Sequence, residues 1–396
     1  MVRKKEASIY TWQFILLCLS SLLFSASFNM IIPELPDYLS SLGGAQHKGL
    51  IIALFTLTAG ISRPFSGKLT DKWGRVPVMA VGSLVCFVCG FLYPVLTSVA
   101  GFFLLRLIHG FSTGFKPTAT AAYIADIIPS NRWGEAVGMH GLCFALGGSI
   151  GPSIGSTVAL HFGLNTLFYV SSAFALLSIV IVMYMKETLK EKESFSLEMM
   201  KISRSDIIDL RVIPAGIITL LTYTAYGTIL TLIPDWSGYL DIKNKGLFFT
   251  TFTLASIGIR FISGKVADHY GKTKVITVGL IITISSLLFV SIASSVERLI
   301  FSACLYGIGT GVLSPAVNAW TIDLSHPQFR GRAMATMYIA LEAGIGLGAL
   351  ISGYLYQDII TRVPKLFFYN AFILILALSY ILIYQIRQRK NMVSSS

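Results

Sequence analysis

Twelve long apolar runs, separated by short polar segments, constrain this chain more than any other feature of its sequence. Many exceed the roughly 18 residues that mark a membrane-spanning helix. Only 13% of the residues are charged, whereas a soluble chain carries about 25%, so much of the chain has no side facing water. Because the backbone in a bilayer must satisfy its hydrogen bonds internally, and these runs lack the alternation of barrel strands, we predict an all-α membrane protein. The runs lie at 13–38, 49–67, 77–97, 101–127, 134–160, 164–185, 212–234, 247–266, 274–294, 298–322, 333–356 and 365–386.

Lysine and arginine are concentrated in alternate loops. If the N-terminus is cytoplasmic, most of them lie in loops on that side, which is the usual bias of membrane proteins. We therefore predict a multi-pass protein of the bacterial inner membrane with both termini in the cytoplasm. The net charge of +12 is spread over these short loop patches, so it does not predict nucleic-acid binding. The opposite loops carry only Lys48, Lys243, Lys245, Arg298, Arg362 and Lys365.

An internal repeat predicts two similar halves. The segment SGKLTDKWG at 66–74 matches SGKVADHYG at 263–271, an offset of 197 residues, and the same offset superposes Arg63 on Arg260. Duplicated six-helix bundles place a solute site between the halves, near the middle of the membrane. We predict an N-terminal bundle at 1–185, a cytoplasmic linker at 186–211 and a C-terminal bundle at 212–396.

The loop after the second run reads Gly67-Lys-Leu-Thr-Asp71-Lys-Trp-Gly74-Arg75-Val-Pro77. Its glycines permit a tight turn, and the proline suits the first turn of the next helix. This loop resembles the signature loop of the major facilitator superfamily, and the repeat extends the resemblance over nearly the whole chain. The alternative is an ordinary positively charged loop, but the pattern recurs at 264–272.

The resemblance implies a fold of about twelve transmembrane helices in two pseudo-symmetric six-helix bundles. It also implies that Asp71 and Arg75 form a charge relay with Asp126, and that the relay holds one alternating-access state. The second copy of the loop retains Asp268 but has Lys272 where the first has Arg75.

The fourth run contains Arg106-Leu-Ile-His109-Gly110, which is similar to a motif of the same family with histidine in place of the usual glutamine. A charged residue inside a span costs roughly 2.5–3.5 kcal/mol on insertion scales, so it normally faces the bundle interior. By resemblance, Arg106 takes part in proton coupling. The structural alternative is that Arg106 reaches to the membrane surface.

The fifth run carries Gly147, Gly151 and Gly155 on one helix face, with Pro152 beside them. Such a stripe permits close helix contact, and the proline predicts a bend. The pattern resembles the motif of antiporters in this superfamily, in particular the drug:proton antiporters of the multidrug and tetracycline type. Helix packing alone is the alternative explanation.

Three further charges lie in or next to the apolar runs. Glu34 belongs to a segment that resembles one in bacterial multidrug and tetracycline exporters, and Glu342 lies mid-span. We assign Glu34 and Glu342, with Arg106, to proton coupling, and Lys116 to the substrate cavity. Structural pairing is the alternative for Glu342 and Lys116, and a solvated position at the outer rim is the alternative for Glu34. The other candidate cavity residues are Asn29, His109, Tyr123, Tyr226, Asn318 and Trp320.

The favoured function is proton-coupled export of a small organic compound, either a drug or an anionic metabolite such as a siderophore. The alternative is a proton-coupled uptake symporter for a sugar or an organic acid. An enzyme is not expected, because the sequence contains no metalloprotease, nucleophile-elbow or nucleotide-binding motif. We expect no cofactor and no metal. The expected partners are the small-molecule substrate, protons and the lipid bilayer, with no nucleic acid, and the expected state is a monomer.

Overall fold

A computed structural model of the protein describes residues 9–129, 132–196, 208–326 and 330–394. Over these ranges the secondary structure is helical and contains no β-strand. The side chains at 134, 261–269, 330–332 and 389–394 are outside this description. The predicted relay residue Asp268 therefore lies outside the described side chains, and part of the predicted linker, 197–207, lies outside the described residues.

The first half of the chain forms six crossings. The first crossing is interrupted by a single 3₁₀ turn at Ile32–Glu34, where Pro33 and Pro36 each remove a backbone donor. Helix starts are capped locally: the Ser98 hydroxyl accepts the Gly101 N–H at 3.1 Å. The helices are α1 (Trp12–Met30), α2 (Leu35–Ser41), α3 (Lys48–Lys72), α4 (Arg75–Leu92), α5 (Val99–Ile127), α6 (Trp133–Phe162) and α7 (Leu164–Met183).

The second half repeats this arrangement with one helix per crossing. Its helices are α8 (Ile213–Tyr239), α9 (Leu247–Tyr270), α10 (Lys272–Ser291), α11 (Val296–Leu324), α12 (Arg330–Tyr356) and α13 (Val363–Ser394). The helices coincide with the twelve predicted runs, with most ends shifted by only a few residues, so the predicted fold class is confirmed. Among the described residues, 10 helical segments are long and apolar enough to cross a membrane. Helix α5 is 29 residues long but carries Arg106 and Lys116 in its interior.

Small residues bring helix pairs into backbone contact within each half. The predicted stripe on α6 packs against α1: a Cβ added to Gly151 would lie 2.8 Å from the Ala26 carbonyl oxygen. In the second half the stripe on α12 packs against α8, where a Cβ added to Gly348 would lie 2.7 Å from the Thr224 carbonyl carbon. Close approach of this kind excludes larger side chains at both positions.

The two halves meet through α3 against α12 and through α6 against α9. A Cβ on Gly49 of α3 would lie 3.0 Å from the Cα of Gly353 on α12. Under the offset of 197, these residues correspond to Gly246 and Ser156, and the Gly246 N–H donates to the Ser156 hydroxyl at 3.1 Å. The repeat seen in the sequence is therefore a pseudo-two-fold relation between the contacts of the two halves.

The bundle has two ends that we distinguish throughout. The terminal face carries both ends of the described chain and the turn from Lys72 to Arg75, and the distal face carries the turn from Ser41 to Lys48. The contacts at Gly49 and Gly246 lie close to the distal face, because each residue stands at or next to the first turn of its helix. The space between the halves opens toward the other end.

Candidate functional site

A cavity lies between the two halves. A vestibule of about 2070 Å³ reaches Gly67 and Asp71 at the terminal face, and a pocket of about 350 Å³ continues from it. Both halves line both spaces, which is the position the repeat predicts for a solute site. Residues shared by the two linings include Phe28, Asn29, Ala145, Tyr226, Arg260 and Asn318.

An ion pair joins the halves in the wall of the vestibule. Arg63 Nη2 of α3 lies 2.6 Å from Glu342 Oε1 of α12, and the side chains are only 17% and 9% exposed. The Arg63 guanidinium also lies 5.0 Å from the centre of the Tyr338 ring. The sequence singled out Glu342 but not its partner; the signal that could have found Arg63 was its superposition on Arg260 in the repeat.

The predicted charge relay is assembled at the terminal face. Arg75 Nε lies 2.9 Å from Asp126 Oδ2, and Arg75 Nη1 lies 3.8 Å from Asp71 Oδ1 and donates to the Thr70 carbonyl at 2.6 Å. One guanidinium therefore links the end of α3, the start of α4 and the end of α5, because its five donors point in fixed directions.

A carboxylate cap lies next to the relay, and the second half has an ion pair at the equivalent position. Glu187, which follows α7, accepts the backbone N–H groups of Arg75 at 3.1 Å and Val76 at 3.0 Å, so a carboxylate caps the start of α4. Sequence patterns could not indicate this cap, because its partner lies over 100 residues away. In the second half, Lys272 pairs with Asp323 in place of the arginine.

Charged side chains from opposite halves close the distal face. The Lys48 side chain is 6% exposed, and its Nζ lies 2.6 Å from carboxylate oxygens of both Asp235 and Asp358. Lys245 pairs with Asp37. We call these five residues the distal gate. All three ion pairs cross between the halves, so opening this face requires them to separate.

Glu34 lies beside the distal gate and not in the cavity lining. Its carboxylate accepts a hydrogen bond from the Ser156 hydroxyl at 2.6 Å, and that hydroxyl accepts the Gly246 N–H. Glu34 is thus buried within the closed end, at the contact between α6 and α9. The hydrogen-bond partner of Glu34 is Ser156, and the ion-pair partner of Glu342 is Arg63.

Arg106 and His109 occupy the interior of the first half. Arg106 donates to the Ile51 carbonyl at 2.7 Å and to the Tyr93 hydroxyl at 3.3 Å, and its guanidinium lies 4.6 Å from the Phe55 ring centre. His109 contacts the same Tyr93 hydroxyl at 3.3 Å. Arg106 borders the vestibule, whereas His109 is fully buried outside both linings.

Lys116 also lies in the interior of the first half, outside the described linings of both cavities. Its ammonium donates to Ser20 Oγ at 2.7 Å, to Ser83 Oγ at 3.0 Å and to the Ser178 hydroxyl. The cation lies 4.8 Å from the centre of the Phe24 ring. A buried ammonium needs hydrogen-bond acceptors for its N–H groups, and the three serine hydroxyls supply them. Lys116 therefore links α1, α4, α5 and α7 and does not face a solute.

The remaining predicted residues divide between the cavity and other contacts. Asn29, Tyr226 and Asn318 line the cavity, as Pro152 of the glycine stripe does. The Tyr123 hydroxyl instead lies 2.8 Å from both Gln13 Oε1 and the Lys186 carbonyl oxygen, within hydrogen-bond distance of each. Trp320 packs on Tyr384 with ring centres 5.2 Å apart.

Comparisons with known proteins agree with this geometry. The family model described as the Major Facilitator Superfamily matches residues 17–213 and 215–395. The chain is 28% identical to the multi-drug resistance efflux pump PmrA of Streptococcus pneumoniae over 309 residues, covering 75% of this chain and 77% of that protein. It is 27% identical to the multidrug resistance protein MdtG of Klebsiella pneumoniae over 370 residues, covering 88% and 86%.

Solved structures share the fold at low identity. The human organic anion transporter MFSD10 superposes with a TM-score of 0.71 at 17% identity, covering 93% of this chain and 98% of that one. The peptide transporter POT superposes with a TM-score of 0.80 at 13% identity, covering 94% of each chain.

Proposed function

The chain belongs to the major facilitator superfamily, and from that premise we propose that it exports a small organic compound in exchange for protons. It is a membrane transporter and not an enzyme. The observation that carries the proposal is the cavity between the halves, open at the terminal face and closed at the distal face by ion pairs between the halves. The multidrug efflux names of relatives covering most of the chain favour export over uptake.

The proposal places the protein in the bacterial inner membrane as a monomer, with the terminal face in the cytoplasm. The positive charge of the loops around Lys68 and Lys72 supports this orientation. The conformation described here is then inward-open, and a compound would enter the vestibule from the cytoplasm. Single cysteines placed at 68 and 265 should both react with an impermeant maleimide only in everted vesicles; reaction from opposite sides would reject the repeat-based topology.

We assign the proton to Glu342. The ion pair with Arg63 forms only when Glu342 has lost its proton, so it stabilises the empty inward-open state after proton release. Breaking an ion pair with little water access is costly, so the empty protein does not readily turn outward. Protonation of Glu342 in the outward-open state removes the charge, and the protein can return inward with the proton. For the compound to leave in exchange, its binding must weaken the same pair before the loaded protein turns outward, and Arg63 and Glu342 both line the vestibule that it enters.

The charge relay contributes a second preference for one state. Arg75 holds α3, α4 and α5 together at the terminal face through Asp71, Asp126 and Thr70. We propose that this arrangement belongs to the inward-open state and rearranges when the terminal face closes. The division into bundles 1–185 and 212–396 with a linker at 186–211 remains part of the proposal.

The test uses proteoliposomes with an imposed pH gradient and two probes, ethidium and 2-naphthoate. If the proposal holds, at least one probe accumulates in everted orientation when the lumen is acidic, and Glu342→Gln abolishes the response to pH while exchange of internal for external probe persists. Glu34→Gln tests the other carboxylate assigned to proton coupling: because it lies outside the cavity lining, we expect it to keep the pH response, and loss of the response there and not in Glu342→Gln would move the proton to Glu34. Accumulation that ignores the gradient rejects proton coupling, and accumulation only in right-side-out vesicles rejects export.

A further inference from the structure

The chain that follows α7 lies against the charge relay. Glu187 accepts the backbone N–H groups of Arg75 and Val76 through its two carboxylate oxygens. The Thr188 hydroxyl donates to Asp126 Oδ2 at 2.5 Å, and Arg75 Nε donates to the same oxygen at 2.9 Å. Two consecutive residues of the linker therefore contact the two members of the Arg75–Asp126 pair, one through the backbone of Arg75 and the other through the carboxylate of Asp126.

Further contacts hold the same stretch of chain over the turn between α3 and α4. The Glu193 N–H donates to the Lys72 carbonyl at 2.8 Å, and the Glu193 carboxylate lies 2.9 Å from Lys72 Nζ. The Phe195 ring packs edge to face on Trp73, with ring centres 5.8 Å apart. We call residues 186–195 the strap. Its ion pair with Lys72 adds little stability, because both side chains are exposed to water, so the backbone and ring contacts are what hold it.

The second half differs at the equivalent positions. Helix α7 ends before the strap, whereas α13 remains helical through the corresponding part of the chain. Under the offset of 197, Glu187 and Thr188 correspond to Tyr384 and Gln385. The Tyr384 ring packs on Trp320, and Gln385 Nε2 donates to the Thr277 hydroxyl of α10 at 3.1 Å. Within the described part of the chain, contacts of the strap kind therefore belong to the relay of the first half.

We propose that the strap positions the charge relay, with Thr188 holding the Asp126 carboxylate and Glu187 holding the first turn of α4. A carboxylate oxygen that accepts two donors is fixed in one orientation, so Thr188 presents to Arg75 the acceptor that it needs. Loss of a strap contact weakens the relay and favours closure of the terminal face. Because the strap continues into the chain that joins the halves, a movement of the second half also reaches the relay through it. The inference rests on the proposed transport function and names residues that set its conformational preference.

The test measures how readily a cavity residue is reached from each side of the membrane. Tyr226→Cys, in a background without the five native cysteines, supplies the reporter, and an impermeant maleimide labels it in everted or in right-side-out vesicles. Thr188→Val keeps the shape of the side chain but removes the hydroxyl. We expect it to lower the labelling rate from the terminal face and to raise the rate from the distal face, each roughly threefold, as loss of one exposed hydrogen bond does.

Three further variants separate positioning from a general loss of structure. Thr188→Ser retains the hydroxyl and should restore both rates. Thr277→Val makes the same change where the hydroxyl contacts Gln385, and it should alter neither rate. Glu187→Gln should shift the two rates in the same directions as Thr188→Val, and it decides the question if Thr188→Val folds poorly. Equal effects of Thr188→Val and Thr188→Ser would overturn the proposal. So would faster labelling from both faces, which a loosened fold gives, or unchanged rates in Glu187→Gln.

The two proposals fail in different experiments. If ethidium transport responds to the pH gradient while Thr188→Val is labelled at the same rates as the parent reporter, the strap inference is wrong and the exchange function stands. If Thr188→Val shifts the labelling and Thr188→Ser does not, but no probe responds to the gradient, the strap inference holds and proton coupling is rejected.

Discussion

Arg63 and Glu342 are 279 positions apart in the chain, and their side chains meet at 2.6 Å across the boundary between the halves. Neither residue belongs to the signature motifs of the sequence. Their contact is nevertheless an ion pair between the halves that borders the cavity, so it connects the charge state of the cavity to the relative position of α3 and α12.

This relationship predicts a strong energetic coupling between the two side chains. Arg63→Gln leaves a carboxylate of 9% exposure without its cation and should lower the free energy of unfolding by about 3–5 kcal/mol. The double variant Arg63→Gln with Glu342→Gln should recover part of that loss, giving an interaction energy of about 0.5–3 kcal/mol. Denaturant titration of the four proteins in detergent measures the cycle. Additive effects would show that the two residues do not interact in solution.

The distal gate predicts a shift toward the outward-open state when it is weakened. Lys48→Gln removes the cation that holds both Asp235 and Asp358, so the distal face should open more often. A cysteine at position 226, in a background without the five native cysteines, should react several times faster with an impermeant maleimide from the distal side. Lys243→Gln, on the exposed turn nearby, is the control. An unchanged labelling rate would indicate that the gate is held by packing alone.

Lys116 gives a prediction of a different kind. Because its ammonium binds serine hydroxyls inside the first half, Lys116→Met should leave 2-naphthoate affinity unchanged within about twofold. The substitution leaves the buried hydroxyls of Ser20, Ser83 and Ser178 without their ammonium partner, so it should lower the free energy of unfolding by about 1–3 kcal/mol. Titration calorimetry measures the affinity for 2-naphthoate, and denaturant unfolding measures the stability of the variant. A large loss of affinity would contradict this prediction and indicate that Lys116 contacts the substrate.

The charge relay should distinguish arginine from lysine. Arg75 donates to Asp126 from Nε and to the Thr70 carbonyl from Nη1, two separate nitrogens of a planar guanidinium, whereas all the donors of an ammonium lie on one nitrogen. Arg75→Lys should therefore slow pH-driven transport roughly tenfold with little change in binding, the loss of about 1.4 kcal/mol that one hydrogen bond to a charged group is worth. Lys272→Arg is the matched change in the second half, where lysine is native, and should be tolerated. Equal effects of the two substitutions would contradict this distinction.

The crossings and the repeat could be predicted from the sequence because each depends on local composition or on a repeated pattern, and the relay followed from the resemblance of its loop to a family motif. The side of each helix that faces the cavity could not be predicted. A membrane helix is apolar all round, so hydropathy does not show which side faces the cavity. Hydropathy therefore does not distinguish Tyr226 from Tyr123, yet Tyr226 lines the cavity and Tyr123 contacts Gln13 and the Lys186 carbonyl. Lys116 was assigned to the cavity for the same reason.

Contacts between residues that are far apart in the chain are the second kind of feature that the sequence does not predict. The cap from Glu187 to α4 and the pair of Arg63 with Glu342 each depend on how separate helices pack, and no local pattern encodes that packing. The offset of 197 residues did contain part of this information, because it relates Arg63 to Arg260 and Glu342 to Ala145.

The contact of Gly49 with Gly353 means that the closed end is sealed partly by bare main chain. Hydrogen atoms are the only side groups there, so a single methyl at either position would act as a wedge between α3 and α12. Such a substitution changes no charge and touches neither the cavity nor the relay. It offers a way to trap the opposite conformation of this protein while leaving its ligand chemistry intact.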